Sequence, residues 1–289
     1  MKPTTLSLYK ERLIKVMNHL HEHLDEALDP EAIAELSHFS LPHFHRVFKA
    51  VTGESLGEHV RRLRLERAAI RLAYEVQPVT RCAFDACYET VESFSRAFKA
   101  HFGVSPSAFR SWHMENQRFG MTEAEVERAL NTLPDIDVKR TRLDEIHCAF
   151  ITHIGPYKEC EAAWLPLCDW AGSRGLMQDA TEFFGICYDD PSITPGDKIR
   201  YEACITVPEP IEPDGIVGSK TLPEGPYAHV RHVGPYDHLE AVYTDLMGRW
   251  LPHNSVAVGT IPSLEFYRND IRHTPPDQLI TDIFLSLEP

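Results

Sequence analysis

The chain has 289 residues, 43% of them apolar and 25% charged, with a formal net charge of −14. That length suggests two or three domains, and that composition belongs to a soluble globular chain rather than a disordered one. No apolar run reaches the roughly 18 residues a membrane helix needs, and the N-terminus lacks a signal-peptide pattern, so a cytoplasmic protein with no membrane partner is expected. The seven cysteines (82, 87, 148, 160, 168, 187 and 204) form no C-x-x-C pair and read as reduced thiols.

Charge divides the chain. Residues 1–118 hold 16 basic and 15 acidic side chains, together with nine of the 16 histidines. The remainder holds 13 basic and 28 acidic side chains, a net of −15 that repels nucleic acid. Only the first part can present a local basic face to it.

The first part is all-α by its punctuation. Asp29-Pro30-Glu31 has the N-cap, N1 and acidic first turn of a helix, and Ser40 and Thr90 are further N-cap candidates. Ser55-Leu56-Gly57-Glu58 fits a capping box. Gly53 and Gly103 stand at C′ positions, and Ser105-Pro106 opens a last short helix. About seven helices are expected between residues 7 and 112. A repeat at an offset of 50 sets FHRVFKAVTG (44–53) over FSRAFKAHFG (94–103), with six of ten positions identical. Phe44, Val47, Phe48 and Val51 form one apolar stripe at helical spacing, with Pro42, His45, Arg46 and Lys49 opposite. In the second copy Phe94, Ala97 and Phe98 face inward, and Glu92, Arg96 and Lys99 face outward. Val91 is suited to a thymine methyl or to packing on Phe94, with packing slightly favoured. Two such helices on a rigid linker, roughly Ser55 to Tyr74, can enter successive major-groove turns about 34 Å apart.

These residues resemble the AraC/XylS family of DNA-binding domains, with two helix-turn-helix units joined by a long helix. The resemblance rests on AELSHFSLPHFHRVFKAVTGESL and YETVESFSRAFKAHFGVSPSAFR. It implies recognition helices near Leu41–Thr52 and Val91–Phe102. It also implies a double-stranded DNA face made of Pro42, His45, Arg46, Lys49, Val91, Glu92, Ser93, Arg96 and Lys99. RNA polymerase is a further candidate partner. Two positions depart from the family: His38 and Cys87 stand in the turns where glycine is usual. A positive φ there strains the turn by roughly 1–2 kcal/mol, which puts the second unit's affinity in question.

A linker (113–134) follows, in which Thr122-Glu123-Ala124-Glu125 reads as the capping box of a short helix carrying Val126, Ala129 and Leu130. The rest, residues 135–289, is expected to be α+β. AFITHIGPYKECEAAW (149–164) recurs as AHVRHVGPYDHLEAVY (228–243) at an offset of 79. GICYDD (185–190) is set over LEFYRN (264–269), and TPGDKIRYEACITV (194–207) over TPPDQLITDIFLSL (274–287). Each copy reads as βαββ, giving antiparallel sheets with helices on one side. In SLEFY, alternation puts Ser263, Glu265 and Tyr267 on one strand face.

This half resembles the GyrI-like effector-binding domains through GPY, YDDPSITPGDKIRYEACITV, LPEGPYAHVRHVGPY and SLEFYRND. The resemblance implies a small-molecule cleft with an acidic residue at Glu265. A carboxylate among aromatic walls suits a lipophilic cation, and Tyr267, Tyr188, Trp164 and Tyr243 are the candidate walls, although core packing is the plainer reading of any single one. A solvated strand face is the plain alternative for Glu265. Because some relatives hydrolyse strained electrophiles, a DNA-tethered hydrolase with Glu265 as general base is the rival function. A module docking a protein partner through its acidic surface is the third.

His19 and His23 have metal-pair spacing but lack a third ligand, so no metal is expected. His153 and His232, each before Gly-Pro-Tyr, read as structural. No Gly-rich phosphate loop or G-x-S-x-G occurs, and no cofactor is expected.

Overall fold

A computed structural model describes residues 5–75, 77–116, 136–254, 256–259 and 261–288. The linker helix expected at Thr122–Leu130 lies outside them. Two compact units are present, one helical and one built on a sheet. Among the described residues no helix is long and apolar enough to cross a membrane.

The helical unit comprises α1 (Thr5–Glu22), α2 (Pro30–Leu36), α3 (Leu41–Thr52), α4 (Leu56–Tyr74), α5 (Val79–Asp85), α6 (Val91–Phe102) and α7 (Pro106–Asn116). Its caps follow the sequence. Asp29 accepts from the Glu31 and Ala32 amides, Ser55 and Glu58 close a capping box, and Thr90 accepts from Ser93. Ser40 departs: it has N-cap backbone geometry but its side chain makes no capping bond. Gly53 and Gly103 end α3 and α6 at φ of 76° and 79°. Phe44 and Phe48 pack with Val16, Leu20, Ile33, Val60 and Leu63 in one core. Val51 leaves the expected stripe; in the last turn before the Gly53 cap it is 66% exposed.

The two helix-turn-helix bends share a hydrogen-bond pattern. Phe39 N donates to Ala34 O and His38 N to Glu35 O, while Tyr88 N donates to Ala83 O and Cys87 N to Phe84 O. His38 and Cys87 both adopt positive φ, 52° and 59°.

The second unit holds β1 (Val138–Leu143), β2 (Ile146–Ile154), α8 (Glu161–Ser173), β3 (Phe183–Cys187), β4 (Arg200–Thr206), β5 (Gly218–Leu222), β6 (Gly225–Val233), α9 (Leu239–Asp245), α10 (Leu251–Asn254), β7 (Ser263–Tyr267) and β8 (Ile280–Ser286). A π-turn, Leu246–Trp250, links α9 to α10. Separate sheets were expected; one eight-stranded sheet is observed, in the order β1-β6-β8-β7-β3-β4-β2-β5. The β3–β7 pair makes the join, and there the rings of Phe184 and Phe266 stack 4.8 Å apart. His153 and His232 hydrogen-bond the carbonyls of Pro156 and Pro235 at 3.1 and 3.2 Å, a structural bond after each strand.

The backbone corrects one alignment. Tyr188 N bonds Arg200 O as Arg268 N bonds Ile280 O. The Arg200 amide donates to Asp189 as the Ile280 amide donates to Asn269. These bonds recur at an offset of 80, not 79. Tyr188 therefore corresponds to Arg268 rather than Tyr267, and Glu265 corresponds to Gly185 rather than Ile186. In the sheet, Gly185 and Glu265 are direct partners across β3 and β7.

Candidate functional site

On α3, Pro42, His45, Arg46 and Lys49 are exposed, on the side away from the buried Phe44 and Phe48. On α6, Glu92, Arg96 and Lys99 are exposed. Val91 is half-buried, and so is Ser93, whose hydroxyl donates to the Thr90 carbonyl at 2.8 Å and thus serves the helix start. Each helix therefore presents one arginine and one lysine on its outer face, a geometry suited to guanine edges and phosphates.

The second site centres on Glu265. It is 7% exposed, on the sheet face it shares with Tyr267. Tyr243, from α9, donates its hydroxyl to Oε1 at 2.9 Å, and Tyr267 donates to Oε2 at 3.0 Å. Burial raises the Glu265 pKa, while the bonds from Tyr243 and Tyr267 and the neighbouring Cys187 thiol pull it back only in part. The Trp164 ring stands edge-on to Tyr267 at 5.8 Å, and Tyr236 stands 5.5 Å from it. Of the walls named from sequence, the structure brings Tyr267, Trp164 and Tyr243 together around Glu265.

Tyr188 goes elsewhere. Its hydroxyl donates to Glu202 at 3.0 Å and accepts from Lys220 at 2.9 Å. Glu202 follows Tyr201 on β4, so the two side chains lie on opposite sheet faces. Sequence reasoning missed Tyr201, Cys187, Cys160, Tyr157 and Tyr236. Tyr157 and Tyr236 could have been found, since each ends a Gly-Pro-Tyr repeat. Cys187 could also have been found, since it falls at the offset-80 position of Tyr267.

The partners of Glu265 differ in kind from those of five other buried carboxylates. Glu66 is held by Arg62, Asp189 by Arg200, and Glu202 by Lys220. Asp245 is held by Arg249, and Asp282 by Arg231 and Arg268. The hydrogen-bond donors to Glu265 among the described residues are two tyrosine hydroxyls, with no base among them.

A helical unit with two basic helix faces and, in the same chain, a sheet unit with a buried carboxylate among tyrosines fit a one-chain DNA-binding regulator with its own ligand domain. The chain belongs to the GyrI-like family: the model of the GyrI-like small molecule binding domain matches residues 137–288. A helix-turn-helix domain model matches residues 33–111, so the chain is an AraC-type regulator carrying a C-terminal GyrI-like domain. It is 35% identical over 91 residues to the regulatory protein SoxS of Salmonella typhimurium, covering 32% of this chain and 85% of SoxS. It is 34% identical over 104 residues to the uncharacterized HTH-type transcriptional regulator YbfP of Bacillus subtilis, covering 36% of this chain but only 35% of YbfP. Among solved structures, the EcmrR C-terminal domain aligns with a TM-score of 0.45 at 18% identity, over 54% of this chain and 99% of that one.

Proposed function

We propose that this regulator binds specific double-stranded DNA through α3 and α6 and senses a lipophilic cation at Glu265. Pro42, His45, Arg46, Lys49, Val91, Glu92, Arg96 and Lys99 form the DNA face, with Ser93 positioning the start of α6. Residues 1–112 form the DNA-binding domain, with α4 joining its two helix-turn-helix units; residues 113–134 are the linker and 135–289 the effector domain. The effector domain is a duplicated βαββ unit. The recurrence of hydrogen bonds at an offset of 80 supports that reading, as does the direct pairing of the corresponding residues Gly185 and Glu265.

One observation carries the choice of ligand. A buried carboxylate is costly unless it is neutralised, and Glu265 has aromatic and hydroxyl neighbours where Glu66, Asp189 and Glu202 have a base. An organic cation supplies the missing charge, and its apolar groups pack on Trp164, Tyr243 and Tyr267. The bound chain then engages its operator, and through it RNA polymerase, with altered affinity, which requires the ligand to favour one of two states.

The test is a calorimetric titration of the full chain with tetraphenylphosphonium, beside a neutral analogue of the same shape. Saturable binding of the cation alone, lost in Glu265→Gln, is expected. Equal binding of both ligands would overturn the reading. Turnover of a strained electrophile that vanishes in Glu265→Gln would favour the hydrolase instead.

A further inference from the structure

Tyr201 lies within the YDDPSITPGDKIRYEACITV motif without being singled out by it, yet its side chain is buried in the sheet unit. It lies on β4, opposite Cys187 of β3, and is 2% exposed. A Cβ built on Gly185 would meet the Tyr201 ring at 2.4 Å and its hydroxyl oxygen at 2.6 Å, so the glycine is the space in which the ring lies. At the matching positions of the second half stand Glu265 and Thr281. One half thus pairs a glycine with a large ring, and the other pairs a carboxylate with a small side chain.

The polar atoms form a directed chain. Trp164 Nε1 lies 3.2 Å from the Tyr201 hydroxyl, which lies 3.0 Å from the Tyr267 hydroxyl, which lies 3.0 Å from Glu265 Oε2. The indole can only donate and an ionised carboxylate can only accept. The two ends therefore fix every proton between them: Trp164 donates to Tyr201, Tyr201 to Tyr267, and Tyr267 to Glu265. A chain polarised in one direction strengthens each of its bonds.

We propose that Tyr201, seated over Gly185 and anchored by Trp164, is a positioning residue that holds the Tyr267 proton on Glu265 and so keeps that carboxylate ionised for a cationic ligand. This rests on the cation reading of the site. The titratable groups facing Glu265 are Tyr243 from α9, Tyr267 from β7, Cys187 from β3, Tyr201 from β4, Cys160 beside α8, and Tyr157 and Tyr236 from the turns after β2 and β6. All are neutral at physiological pH, with Cys160 pushed up to about 11 and Tyr236 to about 12. Their donated protons, rather than any charge, oppose the cost of burying the carboxylate.

The experiment uses the full chain with Tyr201→Phe, which keeps the ring, and Gly185→Ala, which displaces it. Tetraphenylphosphonium affinity is measured across pH, and the Glu265 carboxyl band is followed by infrared difference spectroscopy without ligand, assigned by its loss in Glu265→Gln. Both variants should bind about tenfold more weakly on the acid side, the effect of raising the carboxyl midpoint by about one unit, and match the parent at high pH. The infrared midpoint should rise in parallel. An equal loss at every pH would overturn the proposal, because Tyr201 would then only shape the cavity. An unmoved infrared midpoint would overturn it too. Failure of the parent chain to bind the cation would sink the cation reading alone, since the infrared midpoint still reports on Tyr201.

Discussion

Glu66 in the helical unit and Glu265 in the sheet unit are both buried glutamates, and their surroundings could hardly differ more. Glu66 lies within α4, and Arg62, one turn earlier, bonds both of its oxygens at 3.0 and 3.1 Å. Arg62 also holds Glu54, which in turn meets His59. Both carboxylates of that network are thus held by a guanidinium. Glu265 receives tyrosine protons instead. Burial of a carboxylate alone therefore does not mark a binding site; the proposed cation site rests on the lack of a base among the hydrogen-bond donors to Glu265.

The strongest way to break that comparison is to remove the base that Glu66 has. Arg62→Ala takes the guanidinium from a buried carboxylate and should cost about 3–5 kcal/mol, read as an earlier urea transition of the helical unit. Glu265→Gln should act in the opposite direction. The folded-state pKa of Glu265 is raised above its unfolded value, so its contribution to stability is present below the unfolded pKa and is lost as pH rises through the folded one. The glutamine variant should then be more stable than the parent at neutral and alkaline pH, with the gain fading in acid. Destabilisation of that variant at alkaline pH would place Glu265 with Glu66, as a structural group.

Ligand affinity gives the next largest effect. Removing one partner of a buried charge pair costs about 2–5 kcal/mol, so Glu265→Gln should weaken tetraphenylphosphonium binding by roughly 30-fold or more. The parent's affinity should rise with pH as the carboxylate ionises. Retained affinity in the variant would mean that the aromatic walls alone hold the ligand.

The exposed helices give a smaller effect, on DNA. Arg46→Ala and Arg96→Ala should each weaken specific binding by about 1–3 kcal/mol at fixed salt, while Lys49→Ala should weaken specific and non-specific binding alike. Unchanged operator affinity in both arginine variants, measured by fluorescence anisotropy, would remove the assigned faces.

The helical unit was the more legible from sequence because its signals are local. Caps, C′ glycines and the Phe44/Phe48 and Phe94/Phe98 spacings lie within one or two turns of the residues they control. The sheet unit depends on pairings between strands far apart in the chain. Tyr243, Tyr267 and Trp164 were found through the repeat, and Glu265 through the alternation of SLEFY and the family resemblance, but the repeat was read one residue out of register across β3 and β7. That slip placed Tyr188 over Tyr267, whereas its hydroxyl meets Glu202 and Lys220. Changing a strand's register by one moves a side chain to the other face, and letter matching alone does not resolve the step. Tyr201 was invisible for a related reason: its role depends on the missing Cβ of Gly185, which is a fact about strand pairing rather than composition.

The smallest effects come from the two bends, which pose the comparison again within one unit. His38 and Cys87 hold the same positive-φ position in the same hydrogen-bond pattern, and each bears a side chain where glycine is unstrained. Their surroundings differ. The Cys87 thiol lies 3.1 Å from the Asp25 carbonyl, a bond that glycine cannot make. The His38 side chain is exposed, and it is the residue's backbone carbonyl that accepts from Arg12. Relief of left-handed strain is worth about 1 kcal/mol, and greater unfolded-state freedom takes part of it back. His38→Gly should therefore raise stability by up to about 1 kcal/mol, and Cys87→Gly by less, because the thiol contact is lost. Thermal unfolding of the two variants orders them directly. A larger gain at Cys87 would mean that its thiol contact contributes nothing and that the second unit's bend is the more strained of the two.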